Sequence, residues 1–333
     1  MNLFIVVFAK KIDIFVIDHI HSGPQKFHEN PTPRIGGLGI FIAFTLFLLY
    51  KNLWIYVIVL FPVFLSGFIE DLTKTLHPKI RLFLMSVSGI LAYILLDAKI
   101  TTVHLPAVDY ILSVSVFSFL FTVFALVGIS NAINIIDGFN GLASGVSIMT
   151  LSSIAFVAND VGDILIRDLA LTLIFAILGF FVINWPFGKI FLGDGGAYFI
   201  GFMVGLLAVL LVMHHPEVSP WFALAILIYP VWEVIFSIYR RKYLRNSSPL
   251  QPDAVHFHTL VYRIFSKKLF PNMSNLYRNS ATSVFIWILN LFPTLLAVIF
   301  YNNTLILALI CIAFAISYNF IYKKLIYMKI GSL

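Results

Sequence analysis

Repeated apolar runs of roughly 17–20 residues, separated by short polar segments, constrain this chain more than any other feature. A run of that length crosses a bilayer as a helix, because each residue rises about 1.5 Å and the hydrocarbon core is about 30 Å thick. No water reaches the backbone there, so each run must satisfy its own N–H and C=O groups by coiling. The composition agrees, with 60% of residues apolar, 16% aromatic and only 11% charged. The reading is an all-α, polytopic transmembrane helical bundle of about ten or eleven spans. They are placed at 2–17, 36–50, 54–69, 82–96, 110–129, 141–158, 169–185, 196–213, 220–238, 281–301 and 304–322. The first is interrupted by Lys10, Lys11 and Asp13.

No linker or repeat divides the chain, so one integral membrane domain is expected over 1–333, with its longest polar loop at 239–280. Lys10 and Lys11 are not followed by an apolar stretch and small-residue cleavage site, so no removable signal peptide is expected. The single cysteine, Cys311, lies in an apolar run, which excludes a disulfide framework and a cysteine zinc site.

Basic residues orient the bundle. With 18–35 placed in the cytoplasm, every lysine and arginine falls on the inside except Lys51, Lys99 and Arg167 outside and the Lys10–Lys11 pair in the first run. The same bias explains the net charge of +7 through membrane lipids with anionic headgroups; no nucleic acid is needed as a partner.

Five polar segments then share the cytoplasmic face. They run from Lys26 to Gly37, from Gly67 to Asp71, from Asn131 to Gly145 (NAINIIDGFNGLASG), from Asn184 to Gly196, and from Pro252 to His258. Oxygen-bearing side chains at a membrane boundary are costly unless they hold an ion, a substrate or each other. Glu70, Asp71, Asp137 and Asp194 are hard oxygen donors of the kind magnesium takes together with phosphate and water. Glu70 and Asp71 close a helix at its C-terminal end, where negative charge is disfavoured, so the dipole does not explain them. Glycines at 138, 141, 193, 195 and 196 allow close backbone approach, either as simple turns or as phosphate cradles at helix N-termini. His256 and His258 suit phosphate contact better than zinc, which would need a third ligand. Glu233 is an acid inside a span, open to a site role or a structural polar contact.

NAINIIDGFNGLASG, FLGDGGAYFIG and SPLQPDAVHFH occur in this order between apolar spans. By these motifs the chain resembles the polyprenyl-phosphate N-acetylhexosamine-1-phosphate transferases (glycosyltransferase family 4), from about Lys26 to about Arg278. The muramoyl-pentapeptide phosphotransferases are related to the same group. The resemblance implies transfer of a sugar-1-phosphate from a UDP-N-acetylhexosamine to undecaprenyl phosphate, with release of UMP and initiation of a surface glycan. It implies Mg2+, with Mn2+ as a substitute, a homodimer, and a bacterial inner membrane location with the site facing the cytoplasm.

Carried over by motif position, the catalytic residues are Glu70, Asp71 and Asp137. Asp194, Asn140 and Asp71 take metal roles. Asn131, Asn134 and Asn140 contact substrate, and Asn184 and Phe191 hold and stack the uracil. Arg81, Arg240, Arg241, His256 and His258 fall where the family binds phosphates. Two positions depart from the family pattern: Glu70 replaces an aspartate, and Thr259 stands where a histidine is usual. Two other readings stay open, a secondary transporter and a catalytically weak paralogue that binds lipid phosphate.

Overall fold

The computed structural model describes residues 17–18, 32–244, 255–269 and 271–330. All but the last residue of the expected first span 2–17, together with Lys26, Pro252 and Asp253 of the polar segments, lie outside the described residues. A two-residue antiparallel pairing sets β1 (Ile17–Asp18) against β2 (Thr32–Pro33).

The remaining described elements are helices, among them the π-helical stretches Arg240–Leu244 and Val261–Ser266 beside the α-helices. In chain order they are α1 (Gly36–Tyr50), α2 (Trp54–Thr73), α3 (Pro78–Leu95), α4 (Pro106–Leu112), α5 (Ser115–Ile136), α6 (Leu142–Asp160) and α7 (Ile164–Asn184). There follow α8 (Gly193–His214), α9 (Pro220–Ile226), α10 (Ile228–Tyr239), α11 (Phe257–Leu260), α12 (Lys267–Leu269), α13 (Asn275–Ile299) and α14 (Thr304–Ile330). Eight of these are long and apolar enough to cross a membrane: α2, α3, α5, α6, α7, α8, α13 and α14. The bent pair α9–α10 makes a ninth candidate, and α1, apolar but only 15 residues long, matches the expected span at 36–50. The multi-pass helical bundle is therefore present, with boundaries that differ from the expected ones by several residues.

Two differences bear on the site. The expected continuous span 220–238 is broken at Leu227, where α9 and α10 meet at 76°. Pro230 has no N–H to give the carbonyl of Ile226 four residues back, which weakens the helix at the break. That carbonyl instead accepts a hydrogen bond from the Thr150 hydroxyl at 3.0 Å, as an apolar interior requires. The second difference is that α5 continues to Ile136, so Asn131 and Asn134 lie on a helix and the loop begins only at Asp137.

The bundle is built around α8, 94% of whose apolar stretch is buried, against 22% for α3 and α14. Helices in lipid associate by close packing, and small residues permit it. A methyl added at Gly201 would lie 2.8 Å from the Ser130 Cα on α5. The Ser130 hydroxyl donates to the Tyr198 carbonyl at 2.7 Å, locking the same crossing.

Candidate active site

The N-terminus of α8 is the foundation of the site. Gly193 has φ +78°, a left-handed conformation that a side chain would strain. The following turn lies directly on α2. A Cβ on Gly67 would come within 2.2 Å of the Asp194 carbonyl carbon and the Gly195 nitrogen. Backbone contact of this kind brings the end of α2 under the free N–H groups of α8. Asp71 uses them, accepting from the Asp194 N–H and the Gly195 N–H at 2.9 Å each through its two carboxylate oxygens.

The placement of acid at a helix C-terminus is thus explained: Asp71 closes its own helix but caps another. It also revises one expectation. Those two N–H groups, read from sequence as open to phosphate, are occupied by Asp71. Charge-assisted hydrogen bonds of this type contribute about 1.5–3 kcal/mol each. Replacing Asp71 with asparagine turns an NH2 toward one of the two donors. The expected outcome is a thermally less stable protein as well as a less active one, checked by detergent-phase melting beside turnover.

Asp194 faces the other way. Its Oδ1 accepts from the Arg34 guanidinium at 3.2 Å and its Oδ2 from Arg81 at 3.0 Å. Arg34 also lies 3.8 Å from Asp71. Arg34 comes from the segment preceding α1, which is pinned to the α8 loop by Gly36 N–H to Phe191 carbonyl (2.9 Å) and Gly37 N–H to Leu192 carbonyl (2.8 Å). Arg34 was not singled out from sequence; its place two residues before the Gly36–Gly37 pair, within a polar segment, was the available signal. Glu70 diverges from its neighbour, since its Oε2 accepts from the Leu76 N–H at 2.8 Å and closes the loop after α2.

The turn from Asp137 to Gly141 joins everything else. Asp137 caps the end of α5 and its carboxylate has no hydrogen-bond partner among the described residues, although protein surrounds it closely. Burial pushes it up to about 7; Arg34 opposes the rise and the charge of Asp194 adds to it. Gly138 lies against His258, whose Nε2 would be 3.2 Å from a Cβ built there. Phe139 meets the His258 ring edge-on at 5.7 Å and the Tyr262 ring at 5.3 Å.

Asn140 belongs to a different neighbourhood from the one expected of a metal ligand. Its N–H donates to the Asn279 carbonyl oxygen (Oδ1) at 2.8 Å, its carbonyl accepts from Ser283 at 2.7 Å, and its side-chain amide reaches Ser280 at 3.5 Å, all on α13. The Gly141 N–H donates to Asn184 Oδ1 at 2.6 Å, and Asn184 Nδ2 donates to the Ile190 carbonyl at 2.7 Å. Asn184 therefore ties the central turn to the loop that carries Phe191, which is half-buried. Asn131 bonds back to the Val127 carbonyl at 3.0 Å and approaches Met85 on α3. Asn134, half-buried one turn before Asp137, offers its backbone carbonyl to the Asp137 N–H at 3.2 Å.

A third group gathers on the far side of the turn. Arg240 is buried and points inward, donating to the Val255 carbonyl and to the Tyr322 hydroxyl at 2.9 Å each. It fastens the segment carrying His256 and His258, which are also buried. Arg241, by contrast, is partly exposed. Thus Asp71, Asp137, Asp194, Arg34 and Arg81 share one neighbourhood, and Asn140 and Asn184 a second. His256, His258 and Arg240 form a third. All three meet at one five-residue turn.

The donor set is compatible with a hard divalent cation. Asp137 presents carboxylate oxygens that have no donor among the described residues, and it feels the second carboxylate of Asp194. Among the described residues no three His, Cys, Asp or Glu side chains could hold a metal by themselves. Magnesium is commonly held by one or two carboxylates, with substrate phosphates and water supplying the rest. The arrangement suits that mode and not a self-contained protein cage.

Comparison with known proteins yields one consistent picture. The sequence profile described as "Glycosyl transferase family 4" matches residues 53–212. A probable undecaprenyl-phosphate N-acetylglucosaminyl 1-phosphate transferase of Bacillus subtilis is 31% identical over 264 residues, covering 77% of this chain and 73% of that protein. An undecaprenyl-phosphate alpha-N-acetylglucosaminyl 1-phosphate transferase of Thermotoga maritima is 30% identical over 267 residues, covering 79% and 76%. A phospho-N-acetylmuramoyl-pentapeptide-transferase of Lactobacillus johnsonii is 32% identical over 216 residues, covering 59% and 66%.

Proposed function

Given that the chain belongs to glycosyl transferase family 4 and is a membrane transferase that moves a sugar-1-phosphate onto undecaprenyl phosphate, we propose that its donor is a UDP-N-acetylhexosamine and its metal Mg2+, with Mn2+ as substitute. We place the reaction at the cytoplasmic face of a bacterial inner membrane, where it initiates a surface glycan. The observation that carries this reading is the convergence of Asp137, Asp194, Arg34 and Arg81 at one end of a lipid-embedded bundle. A soluble nucleotide and an embedded lipid phosphate can meet there. Asp137 and Asp194 would hold the cation, and Asp71, its oxygens engaged by backbone, would fix the loop that carries Asp194.

When bound, the cation supplies charge neutralisation on the diphosphate and on the departing nucleotide. An oxygen of the lipid phosphate attacks the phosphorus attached to the sugar. The bond from that phosphorus to the oxygen shared with the uridine-bearing phosphate breaks, and UMP leaves with the electron pair. The second pKa of a phosphate monoester is about 6, so the attacking oxygen needs no strong base near neutral pH. Arg34 and Arg81 hold positive charge beside the reacting phosphates, while positioning supplies most of the acceleration.

Purified protein given UDP-N-acetylglucosamine, undecaprenyl phosphate and Mg2+ is expected to release UMP, and EDTA to stop it. A panel of UDP-sugars identifies the donor. No turnover with any of them, or full turnover in EDTA, overturns the corresponding part of the reading. Incubation with radiolabelled nucleotide sugar and no lipid is expected to leave the protein unlabelled; a phosphorylated Asp137 would establish a covalent route instead.

A further inference from the structure

Glu233 lies in α10 at 0% exposure, a carboxylate placed within a membrane-spanning pair of helices. Such a group is costly there and needs partners. Its Oε2 accepts from the Tyr318 hydroxyl at 2.6 Å. Its Oε1 is shared by His256 Nδ1 at 2.8 Å, the Phe257 N–H at 3.3 Å and the Ser237 hydroxyl at 3.4 Å. Purely structural stitching would explain the contacts to Tyr318 and Ser237. The other two partners belong to the segment that carries His258.

From that segment the contacts continue to the central turn. The His256 ring stacks on the His258 ring, with centroids 5.3 Å apart and planes 8° from parallel. His258 in turn places its Nε2 against Gly138, beside Asp137. A carboxylate already accepting from a phenol and a backbone N–H can only accept from Nδ1. With the Glu233 carboxylate at 2.8 Å and the Ser237 hydroxyl at 3.2 Å from it, Nδ1 carries the His256 proton, and these contacts orient the ring.

We propose that Glu233 is a positioning residue for sugar-phosphate transfer: through His256 it aligns the stacked His256–His258 pair over the Asp137–Gly138 turn. The proposal rests on the transfer reaction described above. It requires Glu233 to act on the chemical step without touching either substrate.

The test is a double-mutant cycle on the full-length protein in detergent. Glu233→Gln retains the size and one accepting oxygen, and its NH2 can donate to the Tyr318 oxygen, but the charge that fixes the His256 tautomer is lost. Loss of an outer partner of this kind is expected to lower kcat about 10–100-fold, with KM for UDP-sugar changing less than about threefold. His256→Ala is expected to cause a comparable loss, and the double variant to be no slower than His256→Ala alone, because Glu233 acts only through that ring.

Wild-type kcat in Glu233→Gln, or losses that multiply in the double variant, overturns the proposal. If Glu233→Gln does not fold, as judged by its melting transition, Glu233→Asp replaces it in the cycle under the same criteria. A wild-type protein that releases no UMP would instead defeat the transfer reading itself. Turnover with a multiplicative cycle would defeat only the positioning role.

Discussion

Asp137→Asn is expected to reduce sugar-phosphate transfer by at least about 10²-fold while leaving the helical bundle intact, because it removes the carboxylate of the cluster that has no hydrogen-bond donor among the described residues. The substitution conserves shape and leaves the backbone of the turn free to keep its contacts with Asn279, Asn184 and His258. Activity in the wild-type protein should also follow the ionisation of this group. Burial pushes the Asp137 carboxyl up to about 7, with Arg34 opposing and Asp194 adding to the rise. Below that value it holds a proton and cannot bind a cation, so turnover at low Mg2+ should fall as pH drops through about 7 and level off above it. Added Mg2+ competes with the proton and should move the midpoint lower.

The stability consequence has the opposite sign. A carboxyl whose folded value exceeds its ordinary 3.8 favours the folded state when protonated. That stabilisation is complete below about 4 and is lost as pH rises through about 7, so metal-free protein should soften across this window. Asp137→Asn should soften less over the same window. Melting curves in EDTA at pH 5 and pH 8 check this directly: equal pH dependence in the two proteins would show that Asp137 is not the group responsible.

The second large effect concerns packing. Gly67→Ala is expected to destabilise the protein by about 1–3 kcal/mol, the usual penalty for overpacking, and to reduce activity at the same time. The added methyl would lie 2.2 Å from backbone atoms of Asp194 and Gly195, which cannot rotate away as a side chain could. Relief requires moving α2 from the start of α8, and Asp71, which caps that turn through both its oxygens, moves with α2. Loss of yield or melting temperature together with turnover supports this account. A variant with wild-type melting and wild-type kcat would show that the α2–α8 contact is not needed to hold the site.

The two substitutions separate contributions that the active turn combines. Asp137→Asn acts on charge with the scaffold retained. Gly67→Ala acts on the scaffold with every ionisable group retained. Asp71 lies between them, since its carboxylate is at once part of the acidic cluster and the cap of α8. Its substitution should therefore resemble a mixture of both.

Much of this protein was legible from the chain. Hydropathy over a window of about twenty residues reports a property of the segment itself, its transfer into lipid, and needs no knowledge of neighbours. Hence the helical membrane class, most of the spans among the described residues and the grouping of polar segments at one end could be read directly, but not the break at Leu227. The acids of the cluster were also visible, because carboxylates at membrane boundaries require a reason. What each acid meets was not. Asp71 and Asp194 are 123 residues apart, and Arg81 reaches Asp194 across 113. The Asp71 pairing follows from glycines that let α2 and α8 approach to backbone contact, and Arg81 reaches the same turn from α3; both are properties of surfaces in register and not of either sequence. Packing likewise turned Arg240 inward, joined Glu233 to His256, drew Asn140 toward α13 and left Asp137 without a donor among the described residues. The identities of the charged groups were written in the chain; which of them are neutralised by protein, and which is left for a ligand, depended on how the helices pack.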